Sequence, residues 1–328
     1  ISNSGAIQLK RKTTPIRKMD YTYWSSPVQS QRLVDVSPAT LSDKFFSFDG
    51  ASDTWKNESP TSVMTIARGY IIRGPQHFST TVPSLYEAVF SGIPNNGIYD
   101  FPVGSDQFNL IGNPYPSAID ADLFMTDINN ASSIDGALYF WTHNTPTQQS
   151  GSEYIYTADD YATYNRTGGT GTAKGAALSG GQVPSGKIAS GQSFFVGTAS
   201  GIPANSRFQF KNSMRIIDQN TQFFKQASTK KATAIEKNRV WLNLTNSGGA
   251  FKQLLVGYIT GATNDWDNLY DGPTFDGQEF VDFYSVNQGK NLTIQGRALP
   301  FVDTDVVPLG YRSTIAGSFD ISIDNRDG

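Results

Sequence analysis

The sequence predicts an all-β chain built as two β-sandwich or jelly-roll-like domains in tandem, with one short helix. Three observations predict it. Apolar residues alternate over short runs, turn residues separate those runs at close spacing, and hardly any segment keeps a helical period for ten residues. The 21 Phe and 15 Tyr raise the aromatic share to 12%, a composition that suits strands. The 31 Gly and 16 Pro are scattered through the chain, as many turns require.

Residues 1–217 carry the first predicted domain. Ala6-Ile7-Gln8-Leu9-Lys10 alternates as an edge strand does, and the basic run around it (Lys10, Arg11, Lys12, Arg17, Lys18) reads as a solvated connector. Strands are expected at Asp20–Trp24, Arg32–Val36, Lys44–Phe48, Gly69–Arg73, Ser84–Ser91 and Phe108–Ile111. Ser26-Pro27, Asp49-Gly50, Gly74-Pro75 and Asn95-Asn96-Gly97 supply turn chemistry between them.

The stretch Phe108 to Phe124, FNLIGNPYPSAIDADLF, organises this half. Gly112 permits a positive φ. Asn113 and Tyr115 each precede a proline and are pushed to extended backbone. Pro114 and Pro116 fix φ and give up a donor. Ser117 with Asp120 three residues on has capping-box spacing, so a short helix is expected after the corner.

Further strands follow at Gly136–Thr142, Glu153–Tyr156, Ala162–Asn165, Lys187–Ala189, Gln192–Gly197, Arg207–Phe210 and Met214–Ile217. The glycine-rich run Thr167 to Gly181 lacks the Gly-Lys-Ser/Thr ending of a phosphate loop and reads as a long mobile loop. Residues 218–238, polar and lysine-bearing, form the expected linker, with Phe223 and Phe224 pinning its start.

The second domain is expected over 239–328. Val240, Leu242 and Leu244 alternate with polar or aromatic neighbours, Asn246-Ser247-Gly248-Gly249 turns, and Phe251–Thr260 returns as a hairpin. Glu279–Val286, Asn291–Gln295, Val306–Tyr311 and Ser318–Ile323 give more strands. Ile1 starts without the charged beginning and apolar core of a signal peptide, and the run stops at Asp327-Gly328 straight after a strand-like segment. A fragment of a longer chain is therefore expected, its second domain lacking its last strands.

Composition narrows the function classes. The net charge of −3, from 26 basic and 29 acidic residues, gives no electrostatic reason for nucleic acid. With no cysteine and two histidines, disulfides, thiol nucleophiles, Cys-ligated metals and histidine-rich metal sites are excluded. No apolar run reaches the ~20 residues of a membrane-spanning helix.

Candidate sites are few. Asp265, Asp267, Asp271 and Asp276 crowd the loop NDWDNLYDGPTFDG, and Asp/Asn alternation supplies the oxygen ligands calcium wants. The spacing is not that of an EF-hand, and a polar turn with Asx caps explains it equally. Structural calcium is the one cofactor the sequence suggests. Asp49, Asp53 and Glu58 make a weaker cluster. Asp159 and Asp160 beside Tyr161 and Tyr164 have the paired carboxylates and rings of a glycosidase cleft. His143 reads as a strand-end residue bonding a loop, and Ser185 lacks a nucleophile elbow. Trp24, Trp55, Tyr70, Tyr86, Tyr115 and Tyr161 could form a carbohydrate-stacking face. No catalytic constellation is assigned.

Several stretches carry a resemblance. They are Asp20-Tyr-Thr-Tyr-Trp-Ser-Ser-Pro27, Gly69-Tyr-Ile-Ile-Arg-Gly-Pro75, Phe108-Asn-Leu-Ile-Gly-Asn-Pro-Tyr-Pro-Ser117, Gly191-Gln-Ser-Phe-Phe-Val196, Arg239-Val-Trp-Leu-Asn-Leu244, Val256-Gly-Tyr-Ile-Thr-Gly-Ala-Thr263 and Leu292-Thr-Ile-Gln-Gly-Arg-Ala-Leu-Pro300. Together they resemble the C-terminal region of large secreted surface proteins of Bacteroidota, especially flavobacteria, exported by the type IX secretion system with a type C sorting domain. The resemblance covers nearly the whole chain. It implies passage through the type IX secretion machinery, display at or release from the cell surface, an adhesin-like role, and no catalytic residues. Two alternatives stand beside it: a carbohydrate-binding or accessory region of a glycan-degrading enzyme, and a filament subunit whose unpaired sheet edge accepts a strand. Surface glycans or other surface proteins are the expected partners.

Overall fold

The computed structural model describes residues 3–145, 147–150, 153–157, 160–172, 183–217, 220, 236–275 and 280–328. Among the described residues the chain is all-β, with two α-helices of four and five residues. Among these residues no helix is long and apolar enough to cross a membrane.

The first elements are β1 (Ile7–Lys12), β2 (Tyr21–Trp24), α1 (Leu33–Val36), β3 (Phe45–Asp49), β4 (Thr54–Asn57), β5 (Tyr70–Arg73) and β6 (Glu87–Gly92). An antiparallel four-stranded sheet runs β2-β5-β3-β4, and β1 pairs with β6 as a ribbon. Side chains alternate across a strand, and this divides the sheet cleanly. Tyr23 and Ile71, with Tyr21, Phe46 and Phe48, face one way. Trp24, Phe45, Tyr70 and Ile72 face the other, against Ala88 and Phe90 of the ribbon.

The run Arg32–Val36, expected as a strand, is the turn of helix α1. Leu33 and Val36 lie three residues apart, so a strand would send them to opposite faces, whereas a helical turn buries both on one side. Arg32 also reaches Asp35 at 2.9 Å, an i,i+3 pair that suits the helix.

Next come β7 (Tyr99–Pro102), β8 (Phe108–Gly112), β9 (Ala118–Asp120), α2 (Ala121–Met125), β10 (Ile134–Trp141), β11 (Gln148–Ser150), β12 (Glu153–Ile155), β13 (Tyr161–Tyr164), β14 (Gly169–Thr170), β15 (Lys187–Ile188), β16 (Ser193–Thr198), β17 (Arg207–Phe210) and β18 (Arg215–Ile216). A five-stranded sheet, β14-β13-β10-β16-β8, lies at the centre. Leu138, Phe140, Tyr164, Phe194 and Val196 point to the largest core, under α2 and the pair β7–β17. Leu110, Ala137, Tyr139 and Phe195 point to the four-stranded sheet.

The corner after β8 locks these layers together. Asn113 is fully buried. Its Nδ2 donates to the carbonyls of Ser117 at 2.8 Å and Ile188 at 3.1 Å, and its Oδ1 accepts from Tyr115 N at 3.0 Å. Gly112 is not in the left-handed region, contrary to expectation. Glycine is required there because a Cβ would stand 2.4 Å from Ser25 Cβ.

The helix also begins later than its capping-box spacing suggests. Residues Ala118–Asp120 pair as β9 with β15 and β18. Asp120 then becomes the N-cap, accepting from Asp122 N at 2.9 Å and Leu123 N at 3.2 Å.

The last elements are β19 (Lys237–Thr245), β20 (Phe251–Ile259), β21 (Gly272–Pro273), β22 (Val281–Asn287), β23 (Lys290–Arg297), β24 (Leu309–Ser313) and β25 (Asp320–Asp327). They form one sheet, ordered β24-β22-β23-β20-β19-β25, with β21 also on β23. The expected hairpin is β19–β20, with Asn246 Oδ1 accepting from Gly248 N and Ala250 N at 2.9 Å each. The expected linker, 218–238, lies mostly outside the described residues, Phe223 and Phe224 included; β19 already begins at Lys237.

Val281 and Phe283 of β22 fold over Leu244, Leu254 and Val256 to close a separate core. The opposite side of β19 meets the central sheet, where Trp241 Nε1 donates to Gly169 O at 2.8 Å. Thr167 Oγ1 donates to Tyr270 O at 2.6 Å and Tyr139 Oη to Pro273 O at 3.1 Å, so the two halves share hydrogen bonds as well as side-chain packing.

Replacing Asn113 by Ala leaves two buried carbonyls and one N–H without their partner. The expected loss is about 3 kcal/mol of unfolding free energy, measured as a lower urea midpoint. An unchanged midpoint would show that the corner holds without this side chain.

Candidate functional site: an aromatic cleft between two sheets

Residues of the four-stranded and central sheets, with Tyr156 and Thr157, line a cavity of about 300 Å³. Seven of its nine lining residues are aromatic: Tyr21, Tyr23, Phe46, Trp55, Trp141, Tyr156 and Tyr161, with Ile71 and Thr157 completing the wall. Strand alternation places them. Tyr21 and Tyr23 share a face of β2, Phe46 and Ile71 are cross-strand partners, and Trp141 sits opposite Tyr161 in the central sheet.

The rings hold one another at fixed angles. Tyr23 and Trp141 stack with centroids 5.7 Å apart and planes 14° apart. Trp55 stands edge-on to Tyr23 at 6.2 Å, and Tyr21 edge-on to Tyr156 at 5.5 Å. Trp55, 40% exposed, forms the rim.

Most polar tips are turned into the protein. Trp141 Nε1 donates to Tyr21 O at 3.0 Å, Tyr156 Oη donates to Met19 O at 2.7 Å, and the hydroxyls of Tyr23 and Tyr161 bond each other. The cleft thus offers ring faces, which suit a flat ligand with apolar C–H surface. Burial lifts the Tyr21 hydroxyl to about 12 and those of Tyr23, Tyr156 and Tyr161 well above the ordinary phenol range. The wall is uncharged at neutral pH.

Of the stacking residues proposed from sequence, Trp55 and Tyr161 line this cleft. Trp24 and Tyr70 are buried on the ribbon side of the four-stranded sheet, Tyr115 is buried at the corner, and Tyr86 donates to Val36 O at 2.6 Å. Tyr21, Tyr23, Phe46, Trp141 and Tyr156 were not singled out. The period-2 alternation of β2, which sets Tyr21 and Tyr23 opposite Trp24, carried part of that signal.

The carboxylates do not gather here. Asp160 is buried and accepts from Thr145 N at 3.0 Å and Thr145 Oγ1 at 2.8 Å, anchoring the turn after β10; Asp159 lies outside the described residues. Asp49 accepts from Ala51 N at 3.0 Å and pairs with Lys56; Glu58 accepts from Ser47 Oγ at 2.6 Å.

In the aspartate loop, Asp271 is fully buried and accepts from Asp267 N at 3.0 Å and Gly296 N at 2.8 Å. Asp267 accepts from Thr263 N and Asp265 from Gln288 Nε2. Asp276 lies outside the described residues. These three carboxylates are used on N–H groups of the loop and of the neighbouring hairpin residues Gln288 and Gly296, and among the described residues no three acidic or histidine groups gather as metal ligands.

His143 sits just past β10, buried, with Nε2 2.9 Å from Thr14 Oγ1. Burial lowers its imidazole to about 4, while burial raises Asp20 and Asp271 to about 6.

Comparison with protein families places these features in context. A family model described as Domain of unknown function (DUF8693) matches residues 1–328. The chain belongs to that family. No curated protein and no solved structure gave a significant match.

The histidine shift fixes a pH dependence. Above about pH 6.5 both the folded and unfolded imidazole are neutral. Below it the unfolded chain takes the proton first, so His143's contribution is lost as pH falls towards 4. Asp20 and Asp271 act oppositely, binding protons more readily in the fold and stabilising it on acidification. Comparing wild type with His143→Gln removes the aspartate terms. From pH 7 to 4, wild type should lose about 3 kcal/mol relative to the variant; a flat difference in urea midpoints would mean the folded imidazole protonates freely.

Proposed function

We propose that this chain is a non-enzymatic binding module displayed outside the cell, adhesin-like in role, and that its aromatic cleft receives a sugar ring of a surface or environmental glycan. The cleft carries the reading: seven rings around about 300 Å³, with a half-exposed tryptophan at the rim. This volume is at the lower end of the range for small-molecule sites. A pyranose has a C–H face that stacks on a ring and a hydroxyl rim that can stay in water at the open side.

Export through type IX machinery enters as part of the proposal, on the sequence resemblance. The absence of cysteine in the chain is compatible with an extracellular module whose core is large enough without disulfides. A role beside a catalytic domain of a glycan-degrading enzyme would use the same cleft.

Affinity electrophoresis of the purified chain in gels containing xylan, laminarin or glucomannan tests this, with tryptophan fluorescence as a second readout. At least one polysaccharide should retard the chain, and Trp55→Ala should weaken binding on the order of tenfold, the loss of about 1.4 kcal/mol of stacking. If no polysaccharide retards the chain or alters its fluorescence, the glycan reading is wrong.

A further inference from the structure

Of the 22 large apolar side chains left exposed among the described residues, nine lie between Phe280 and Ile323. Four of them sit on the two outermost strands of the C-terminal sheet: Leu309 and Tyr311 on β24, Ile321 and Ile323 on β25. Their register aims the last three inward. Tyr311 is opposite Phe283, Ile321 opposite Leu244 and Ile323 opposite Leu242. They therefore extend the face that Phe283 and Leu244 bury, yet Tyr311, Ile321 and Ile323 remain 57%, 53% and 65% exposed. A sheet face wider than its cover marks an interaction surface.

The edge itself is open. Among the described residues β25 pairs only with β19 and all eight of its residues are exposed; it carries neither proline nor lysine, and its edge protection is limited to Asp320, Asp324, Arg326, Asp327 and one register shift. Its free main-chain groups and alternate isoleucines fit an added strand.

Charge selects the occupant. β25 itself holds Asp320, Asp324 and Asp327 against Arg326, a net charge of −2, with Asp327 paired to Arg239. Self-pairing of β25 would therefore oppose like charges. The complementary strand is β1, Ile-Gln-Leu-Lys-Arg-Lys, whose exposed Lys10 and Lys12 follow an alternating apolar pair, with Arg11 between them buried. β1 pairs only with β6 among the described residues. Lys10 and Lys12 reach Glu87 at 3.3 and 3.9 Å, exposed contacts of little strength that can be exchanged.

We propose that β25 of one copy adds to the β1 edge of a second copy, joining the C-terminal sheet of one molecule to the N-terminal ribbon of the next. The contact uses different surfaces on the two copies, so repetition builds an open chain of subunits. This rests on the sheet edges and is independent of the glycan cleft.

Sedimentation velocity of the full chain over about a hundredfold concentration range tests it. The expected result is a sedimentation coefficient that rises with concentration and falls back at high salt. Ile321→Lys with Ile323→Lys, and separately Lys10→Glu with Lys12→Glu, should each weaken association at least tenfold. An equimolar mixture of the K10E/K12E chain with a D320K/S322K chain should regain it, because the altered strands now carry opposite charges and the unaltered β25 of one chain still meets the unaltered β1 of the other; that recovery also shows that both variants are folded. A monomer at every concentration overturns the proposal. So does a mixture that fails to reassociate, or loss in I321K/I323K with none in K10E/K12E, which would assign the face to another occupant.

Discussion

One buried amide side chain holds the first half of the molecule in register. Asn113 bonds the corner backbone on both sides and reaches the Ile188 carbonyl on a strand distant in sequence. Around it, Asn95 Nδ2 donates to Pro114 O at 3.0 Å, Ser190 Oγ to Tyr115 O at 2.7 Å and Asn220 Nδ2 to Pro116 O at 2.9 Å. Two prolines remove donors from this stretch, so its carbonyls would be costly to bury without side-chain donors. Tyr115 completes the corner, fully buried, with its hydroxyl donating to Gly97 O at 2.6 Å. The corner fixes where β8 ends and β9 begins, and thereby how the central sheet meets the layers on either side.

The cleft follows from that layering. The central and four-stranded sheets are close-packed where Leu110, Phe195, Tyr23 and Ile71 meet. Beside this contact Tyr21, Trp55, Trp141 and Tyr156 join Tyr23 and Ile71 around a space that their rings line without closing. Because the rings brace one another and most polar tips bond backbone carbonyls or each other, the walls are preorganised. Phe275, from the C-terminal half, packs against Tyr161 with centroids 4.5 Å apart. The second half thus helps to fix one wall of a cleft formed by the first.

Much of the architecture was legible locally. The strands at Tyr21–Trp24, Tyr70–Arg73, Arg207–Phe210 and the β19–β20 hairpin follow from alternation and turn residues. The departures share one cause, which is that spacing admits more than one structure until neighbours choose. Ser117 and Asp120 have capping-box spacing, but the pairing of Ala118–Asp120 with two other strands moved the cap to Asp120 itself. Arg32–Val36 became a helix because Leu33 and Val36 had to enter one core together. Short strands such as β7 and β9, of four and three residues, are too brief for alternation to reveal them alone.

The sequence by itself determined the all-β class, the position of the rigid corner and the exclusion of thiol chemistry and disulfides, because alternation, proline placement and absent cysteine are local or compositional facts. Tertiary structure alone decided which aromatic rings are core and which line the cleft. Trp24 and Tyr23 are adjacent and chemically alike, yet they face opposite sides of β2, and only the layers beyond each face make one a buried anchor and the other a cleft wall. It likewise decided the use of the aspartates: Asp271 and Asp160 are buried and bonded to the N–H groups of Gly296 and Thr145, a fate set by where those segments pack and not by their spacing in the chain.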